Sequence, residues 1–179
     1  MFGACIVPIF PRLFLLHGPS GSGKSSLIKC AMRLVHQDAR CSVDPTRMSG
    51  FRLNSMAGKL VNAMTDIELT KPIEDSIVKM IEDRIPITIE RKNRDDVLST
   101  IPPIHMFGAN GIPATKDLTS GAMLRRWSFL HLAAMNKSEE PDHDFANWAF
   151  DQNPDAVVLW AFGGAIRLLK NKGRYTEFA

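Results

Sequence analysis

Short apolar segments recur along the chain between polar, turn-forming stretches, and this pattern predicts β-strands. Each segment is too short for a core helix and is bounded by glycine, proline or polar residues. The predicted strands are residues 12–17, 59–64, 86–92, 104–109 and 127–132, with residues 41–43 as a shorter candidate. We expect residues 1–11 to form an irregular lead-in and residues 93–96 to form a polar turn.

Apolar residues at helical spacing mark three segments that lie between or after these strands. The first helix is predicted at residues 25–35, the second begins near Pro72, and the last begins near Pro154 and ends at Gly173. The residues that the last helix is expected to bury are Val158, Ala161, Phe162, Ala165, Ile166 and Leu169. Strands that alternate with helices predict an α/β fold, with a parallel sheet flanked by helices.

The segment between the first strand and the first helix fits the phosphate-binding loop (P-loop) pattern GxxxxGK[ST] at every fixed position. Its glycines allow backbone N–H groups to surround phosphate oxygens, and the helix N-terminus adds partial positive charge. Lys24 is expected to reach the β- and γ-phosphates, and the Ser25 hydroxyl is expected to ligate Mg²⁺. The residues predicted to bind a nucleoside triphosphate are Gly18, Pro19, Ser20, Gly21, Ser22, Gly23, Lys24, Ser25 and Ser26.

Composition sets broad limits and leaves the choice of function to the local motifs. The 179 residues suffice for one core, and the hydrophobic fraction of 45% and charged fraction of 23% are typical of a soluble globular protein. A net charge of +3 neither requires nor excludes nucleic acid. The three cysteines lack metal-ligand spacing and favour the reducing cytoplasm, and no apolar run is long enough to span a membrane.

Polar residues beyond the P-loop are candidates for metal and water chemistry. Asp66 and Glu68 follow a predicted strand, where an acid holds Mg²⁺ through water and polarises the attacking water. Asn110 follows another strand, where it is placed to orient that water. Arg125 and Arg126 are candidates for an arginine that neutralises transition-state charge, often across a subunit boundary. At this point the choice within each pair stays open.

With these motifs in order, the chain resembles a superfamily 3 helicase, specifically the ATPase domain of phage and plasmid primase-helicases. Five blocks carry the resemblance: residues 18–26, residues 58–62 with Asp66, residues 87–92, residues 109–113, and the set Asp117, Ser120, Gly121, Ala122, Arg125, Arg126 and Trp127. Residues 158–164, with Leu168, Leu169, Gly173 and Arg174, are similar to the helix that follows in these proteins. Each block alone is weak evidence for the family, whereas the occurrence of all five in the family's order is specific.

The resemblance implies a P-loop fold of the AAA+-like type, which uses ATP and Mg²⁺. Residues 1–150 would form the ATPase core, and residues 151–179 would form a helical segment packed on it. The family implies a homo-oligomer, a hexameric ring that hydrolyses ATP between neighbouring subunits. Arg126, or Arg125, would then be supplied to the neighbour's site.

The resemblance also implies single-stranded or forked DNA as the partner. DNA would pass through the central channel of the ring and be gripped by the residues of a hairpin, here Lys92 with Arg91 and Arg94 nearby. Contact with the phosphate backbone requires cations and does not require recognition of the bases. The chain opens almost at the P-loop strand. A primase or origin-binding domain is therefore expected in another chain or a missing segment, and no membrane is involved.

Two other functions stay open at this point. A small-molecule or nucleotide kinase would share the length and the P-loop, although no arginine-rich lid segment follows the core. A nucleotide-binding assembly module without unwinding activity would fit the short chain. The site residues have plainer alternatives too: Asp66 and Asn110 suit turns, and the cations near Lys92 suit a solvated hairpin surface.

Overall fold

The computed structural model contains both strands and helices in the part of the chain that it describes. This part comprises residues 1–68, 73–91, 93–112, 126–134 and 144–176, apart from the side chains of Asp75 and Arg94. The strands are β1 (Arg12–His17), β2 (Arg40–Cys41), β3 (Val61–Met64), β4 (Ile87–Arg91), β5 (Arg94–Ser99), β6 (Ile104–Ala109) and β7 (Trp127–His131). The helices are α1 (Phe2–Ile6), α2 (Lys24–Arg33), α3 (Asp75–Asp83), α4 (Phe145–Gln152) and α5 (Pro154–Lys170). The predicted α/β class is confirmed.

The main sheet has five parallel strands in the order β2-β3-β6-β1-β7. The register places His17 at the end of β1 beside Ala109 at the end of β6. Apart from His105, the inner residues of both strands are apolar, because helices cover both faces of the sheet. The strands predicted at residues 12–17 and 104–109 are confirmed at both ends.

Two apolar cores lie on opposite faces of the sheet, since successive side chains of a strand point to opposite sides. Phe14 and Leu16 of β1 join the core that includes residues of α1, α2, α4 and α5. Leu13 and Leu15 join the core that includes α3. This three-layer arrangement leaves the ends of the strands, where the loops gather, as the places for a ligand.

Helix α1 packs against α5 through two glycines. A Cβ atom on Gly3 would lie 2.3 Å from the carbonyl carbon of Gly164, so the contact requires a residue without a side chain. The predicted irregular lead-in is therefore wrong over Phe2–Ile6. A helix this short is not stable by itself, and packing on a segment distant in sequence supports it.

The buried face of α5 differs from the predicted one. The buried residues are Ala161, Ala165 and Leu168, whereas Leu159, Trp160, Phe162, Ile166 and Leu169 are exposed. The expectation that Phe162, Ile166 and Leu169 are buried is wrong. Apolar residues surround most of this helix, so their spacing does not select one face.

Strands β4 and β5 form an antiparallel hairpin that is separate from the main sheet. Arg91 pairs with Arg94 at its tip, and Asn93 has a left-handed φ of 57°. The polar turn predicted at residues 93–96 is wrong beyond Asn93, because β5 begins at Arg94. The hairpin contacts the 3₁₀ segment Gly50–Met56 through β4.

Candidate nucleotide-binding site

The P-loop connects β1 to α2 in a conformation that depends on its glycines. Gly21 and Gly23 have φ angles of 77° and 87°, in the left-handed region that other residues rarely adopt. The Gly18 N–H donates to the carbonyl of Ala109 at 3.3 Å, which fixes the start of the loop to the end of β6. Pro19, Ser20 and Gly21 are exposed, so a ligand can reach this part of the loop.

Lys24 is buried within the loop although it carries a charge. Its Nζ donates to the carbonyl oxygens of Gly18 at 2.8 Å and Pro19 at 2.7 Å, and to Ser22 Oγ at 3.4 Å. These acceptors are neutral, and phosphate oxygens in their place would form stronger, charge-assisted hydrogen bonds. The neighbouring Ser25 is exposed, so a metal ion can reach it.

Ser26 lies one residue further along α2 and lines a different cavity, of about 440 Å³. This cavity also contains Lys29, Arg33 and Arg40. Asp66, Glu68 and Asn110 line a different cavity, described below.

The segment after β3 crosses the end of β6 in close contact. The Ile67 N–H donates to the carbonyl of Gly108 at 2.9 Å. A Cβ atom on Gly108 would lie 2.2 Å from the carbonyl oxygen of Thr65, so a residue with a side chain does not fit there. This crossing brings Asp66 towards Asn110, the residue that follows β6.

Asp66, Glu68 and Asn110 line a common cavity of about 570 Å³ at the carboxyl ends of β3 and β6. Strand β6 lies directly between β3 and the P-loop strand β1. The three side chains predicted for metal and water chemistry are thus gathered at the sheet edge that bears the P-loop. The cavity also contains Asp44 and Arg47, which the sequence analysis missed.

Asp44 and Arg47 belong to a short capped turn after β2. Asp44 Oδ1 accepts hydrogen bonds from Thr46 N at 2.8 Å and Thr46 Oγ1 at 2.7 Å. Arg47 Nε lies 3.6 Å from Asp44 Oδ2. The available sequence signal was Asp44-Pro45, a capping residue followed by proline, at the end of a strand in the same sheet.

A buried polar network supports the loop that leads into Asp44. Asn62 of β3 accepts from Val43 N at 2.7 Å and donates to Val43 O at 2.9 Å. Its Nδ2 also lies 3.2 Å from His105 Nδ1, and His105 Nε2 lies 2.7 Å from Pro102 O. His105 therefore donates from Nε2 and accepts at Nδ1. Burial lowers the pKa of His105 to about 4, against an opposing hydrogen bond to Pro102, so the ring is neutral at pH 7.

Two other histidines lie at the P-loop end of the sheet. His17 precedes Gly18, and its ring centroid lies 5.0 Å from that of His131 on β7. Burial, followed by the charge of His131, lowers the pKa of His17. The sequence context predicts core positions for His17, His105 and His131. That prediction is confirmed for His105 and wrong for His131, which is exposed.

Arg126 lies immediately before β7, at the amino ends of the strands and thus opposite the end that bears the P-loop. Its Nε donates to Glu82 Oε2 of α3, and only 17% of its side chain is exposed. It lines a cavity of about 560 Å³ that also contains Arg12 and Arg174. Strand β1 has six residues and spans roughly 17 Å between this edge and the P-loop. The structure thus does not bring Arg126 to the P-loop of its own chain, and Arg125 lies outside the described residues.

The residues predicted to bind DNA belong to the β4–β5 hairpin. Arg91 ends β4 and is half-buried, and Arg94 begins β5. Lys92 lies outside the described residues. The hairpin predicted by the resemblance is therefore present in the fold, and contact with DNA stays a prediction.

A P-loop between a parallel strand and a helix, with acidic and amide side chains just after neighbouring strands, defines the class of P-loop NTPase domains. The model of the family of unknown function DUF5906 matches residues 16–126, and this chain belongs to that family. The comparison with curated proteins gave no match. Among the described residues, no helix has the length and apolar character needed to cross a membrane.

Solved structures share this fold at low sequence identity. The C-terminal region of NrS-1 has a TM-score of 0.62 at 15% identity, over 84% of this chain and 36% of that one. JCV helicase has a TM-score of 0.56 at 16% identity, over 94% of this chain and 47% of that one. This chain thus spans less than half of either structure. At the level of the fold, the predicted resemblance to a superfamily 3 helicase ATPase domain is confirmed.

Proposed function

We propose that this chain is the ATPase motor of a DNA helicase that acts in phage or plasmid DNA replication. The cavity shared by Asp66, Glu68 and Asn110, at the sheet edge that bears the P-loop, carries the proposal. These are the side-chain types that phosphoryl transfer to water requires beside a bound triphosphate. Similarity to the fold of helicase structures supports the proposal that the energy of hydrolysis drives movement along DNA.

The exposed Ser25 hydroxyl and the exposed Asp66 carboxylate fit Mg²⁺, a hard cation that prefers oxygen ligands. Among the described residues, no group of three or more His, Cys, Asp or Glu side chains could hold a metal alone. That agrees with a Mg²⁺ ion held mainly by phosphates, water and one or two protein oxygens. When bound, Mg²⁺ would neutralise charge on the β- and γ-phosphates.

The remaining chemistry falls to the side chains around the cavity. Lys24 would exchange its bonds to loop carbonyls for bonds to the β- and γ-phosphates. Asn110 would orient the attacking water, and Glu68 or Asp66 would accept its proton. Hydrolysis then needs no covalent intermediate, since orientation and charge stabilisation suffice for this reaction.

We propose that neighbouring copies of the chain share each site, in a hexameric ring. Because Arg126 lies at the edge of the sheet away from its own P-loop, Arg126 or Arg125 would act on the ATP of a neighbour. This requires Arg126 to exchange Glu82 for phosphate when copies assemble. Such an arginine contributes roughly 10³ to 10⁵ in rate.

The proposal assigns the β4–β5 hairpin to single-stranded or forked DNA, held through Arg91, Lys92 and Arg94. Residues 1–150 would form the ATPase core, and residues 151–179 would form the helical segment packed on it. A primase or origin-binding domain would act with this motor from another segment or chain, in the cytoplasm of the host cell.

The test is steady-state ATP hydrolysis by the full chain with Mg²⁺, with and without single-stranded DNA. We predict that DNA stimulates hydrolysis and that Lys24→Ala lowers the rate about 100-fold or more, because it removes a cation from the transferring phosphate. Lys29→Ala is the matched control. Lys29 is exposed on the same helix and lines a cavity other than the one that contains Asp66 and Asn110.

Near wild-type activity of Lys24→Ala would contradict the proposed site. Phosphate transfer to a nucleoside monophosphate, without dependence on DNA, would instead favour a kinase. Hydrolysis without strand separation in any assembled form would favour a nucleotide-binding module.

A further inference from the structure

Arg47 is a cation in the cavity where the proposed function places the terminal phosphate. The same cavity is lined by three carboxylates: Asp44, Asp66 and Glu68. Carboxylates that Mg²⁺ does not neutralise would repel a terminal phosphate, because like charges in a partly buried space interact strongly. A guanidinium at this position would offset that repulsion.

The backbone that carries Arg47 is fixed by a continuous set of hydrogen bonds. Asn62 of β3 holds both polar backbone groups of Val43, and Asp44 caps the turn through Thr46. Arg47 is therefore attached to the sheet that bears the acidic residues. Its position in the cavity does not depend on a long loop.

The guanidinium of Arg47 is both restrained and accessible. Its Nε faces Asp44 at 3.6 Å, which is longer than a hydrogen bond and so leaves the pair loosely held. Arg47 keeps 44% of its side chain exposed, whereas Asp44 keeps 15%. Asp44 thus restrains the orientation of Arg47, and Arg47 remains open to a ligand.

We propose that Arg47 binds the terminal phosphate of the nucleoside triphosphate and makes the site prefer a triphosphate over a diphosphate. This inference rests on the proposed function, because it places that phosphate beside Asp66 and Asn110. A planar guanidinium suits phosphate oxygens, and the charge-assisted hydrogen bonds form only when the third phosphate is present. Unlike Arg125 or Arg126, Arg47 acts within its own chain.

The experiment measures Mg²⁺-dependent binding of a non-hydrolysable ATP analogue and of ADP to the full chain. Arg47→Ala is expected to weaken binding of the ATP analogue about tenfold, with ADP binding changed less than about twofold. Arg47→Lys should give an intermediate loss, since it keeps the charge and loses the planar fork. Arg52→Ala is the matched control, because Arg52 is an exposed arginine outside the cavity lining.

Equal weakening of both nucleotides by Arg47→Ala, with a lowered melting temperature, would show that Arg47 only stabilises the turn and would overturn the inference. Unchanged binding of both nucleotides would overturn it as well. Lys24→Ala separates the two hypotheses. Suppose that Lys24→Ala no longer binds either nucleotide, while Arg47→Ala keeps the wild-type ratio of the affinities for the ATP analogue and ADP. Then only the proposed role of Arg47 is wrong. If Lys24→Ala binds as wild type, the proposed function itself fails.

Discussion

His105 shows how one buried side chain makes the stability of this protein depend on pH. The ring accepts from Asn62 at Nδ1 and donates to Pro102 from Nε2. The bond from Asn62 requires the neutral ring, because protonation of Nδ1 removes the lone pair that accepts it. Burial makes protonation costly, which is why the pKa of His105 falls to about 4. The same network holds Val43, directly before Asp44.

We predict that the free energy of unfolding falls as the pH is lowered from 6.5 towards 4. In the unfolded chain His105 has a pKa of about 6.5. Across this window the unfolded state binds a proton that the folded state does not, so folding is favoured above pH 6.5 and loses support below it. The loss is on the order of 3 kcal/mol by pH 4.

Urea unfolding of the wild type and of His105→Gln at a series of pH values measures this effect. The variant has no ring to protonate, so its stability should depend less on pH between 6.5 and 4. His36→Gln is the control because His36 is exposed. If His105→Gln keeps the wild-type pH dependence, His105 is not the group responsible.

The close contact between β6 and the segment after β3 positions Asp66 and Glu68. We predict that Gly108→Ala destabilises the fold by about 1–3 kcal/mol, because its methyl group would overlap backbone atoms of Thr65. We also expect ATP hydrolysis to fall by more than the loss of folded protein explains, since Thr65 precedes Asp66.

Thermal unfolding and the hydrolysis rate per folded chain measure these two effects. Gly163→Ala is the control, because a Cβ atom there meets nothing within 4 Å and alanine is favoured over glycine within a helix. Wild-type activity and stability of Gly108→Ala would show that the close crossing is not required.

The elements that could be predicted from the sequence are those specified by local signals. β1 and β6 are mostly apolar strands bounded by glycine, proline or asparagine. Both strands, and the P-loop that follows β1, lie where the sequence predicts them. The P-loop pattern also specifies its own conformation, since its glycines adopt positive φ angles. These signals act within a few residues, so the elements can be predicted without knowledge of the tertiary structure.

The elements that were missed depend on distant contacts. α1 is supported by the contact between Gly3 and Gly164, and nothing near residue 3 indicates it. β5 carries polar residues because its hairpin stands apart from the main sheet. Arg47 reaches the candidate site only because β2 lies beside β3 in the sheet, which the spacing of residues along the chain does not reveal.

At the scale of the whole molecule, the two edges of the sheet separate the parts of the proposed site. The P-loop, Asp66 and Asn110 lie at the carboxyl edge, whereas Arg126 lies at the amino edge against Glu82. Roughly 17 Å of β1 lies between these edges. An arginine at the amino edge suits the site of a neighbouring copy, and for this reason we expect specific activity to rise with protein concentration.

ATP hydrolysis after two inactive variants are mixed, in the presence of single-stranded DNA, tests whether neighbouring chains share each site. One variant is Lys24→Ala, and the other is the double variant Arg125→Ala/Arg126→Ala, which covers both candidate arginines. We predict that each is inactive alone and that an equal mixture recovers about one quarter of the wild-type rate, because random assembly pairs an intact P-loop with an intact neighbouring arginine in that fraction of interfaces. No recovery on mixing, with a wild-type specific activity that is independent of concentration and DNA, would show that each chain contains a complete site and that neighbours do not share it.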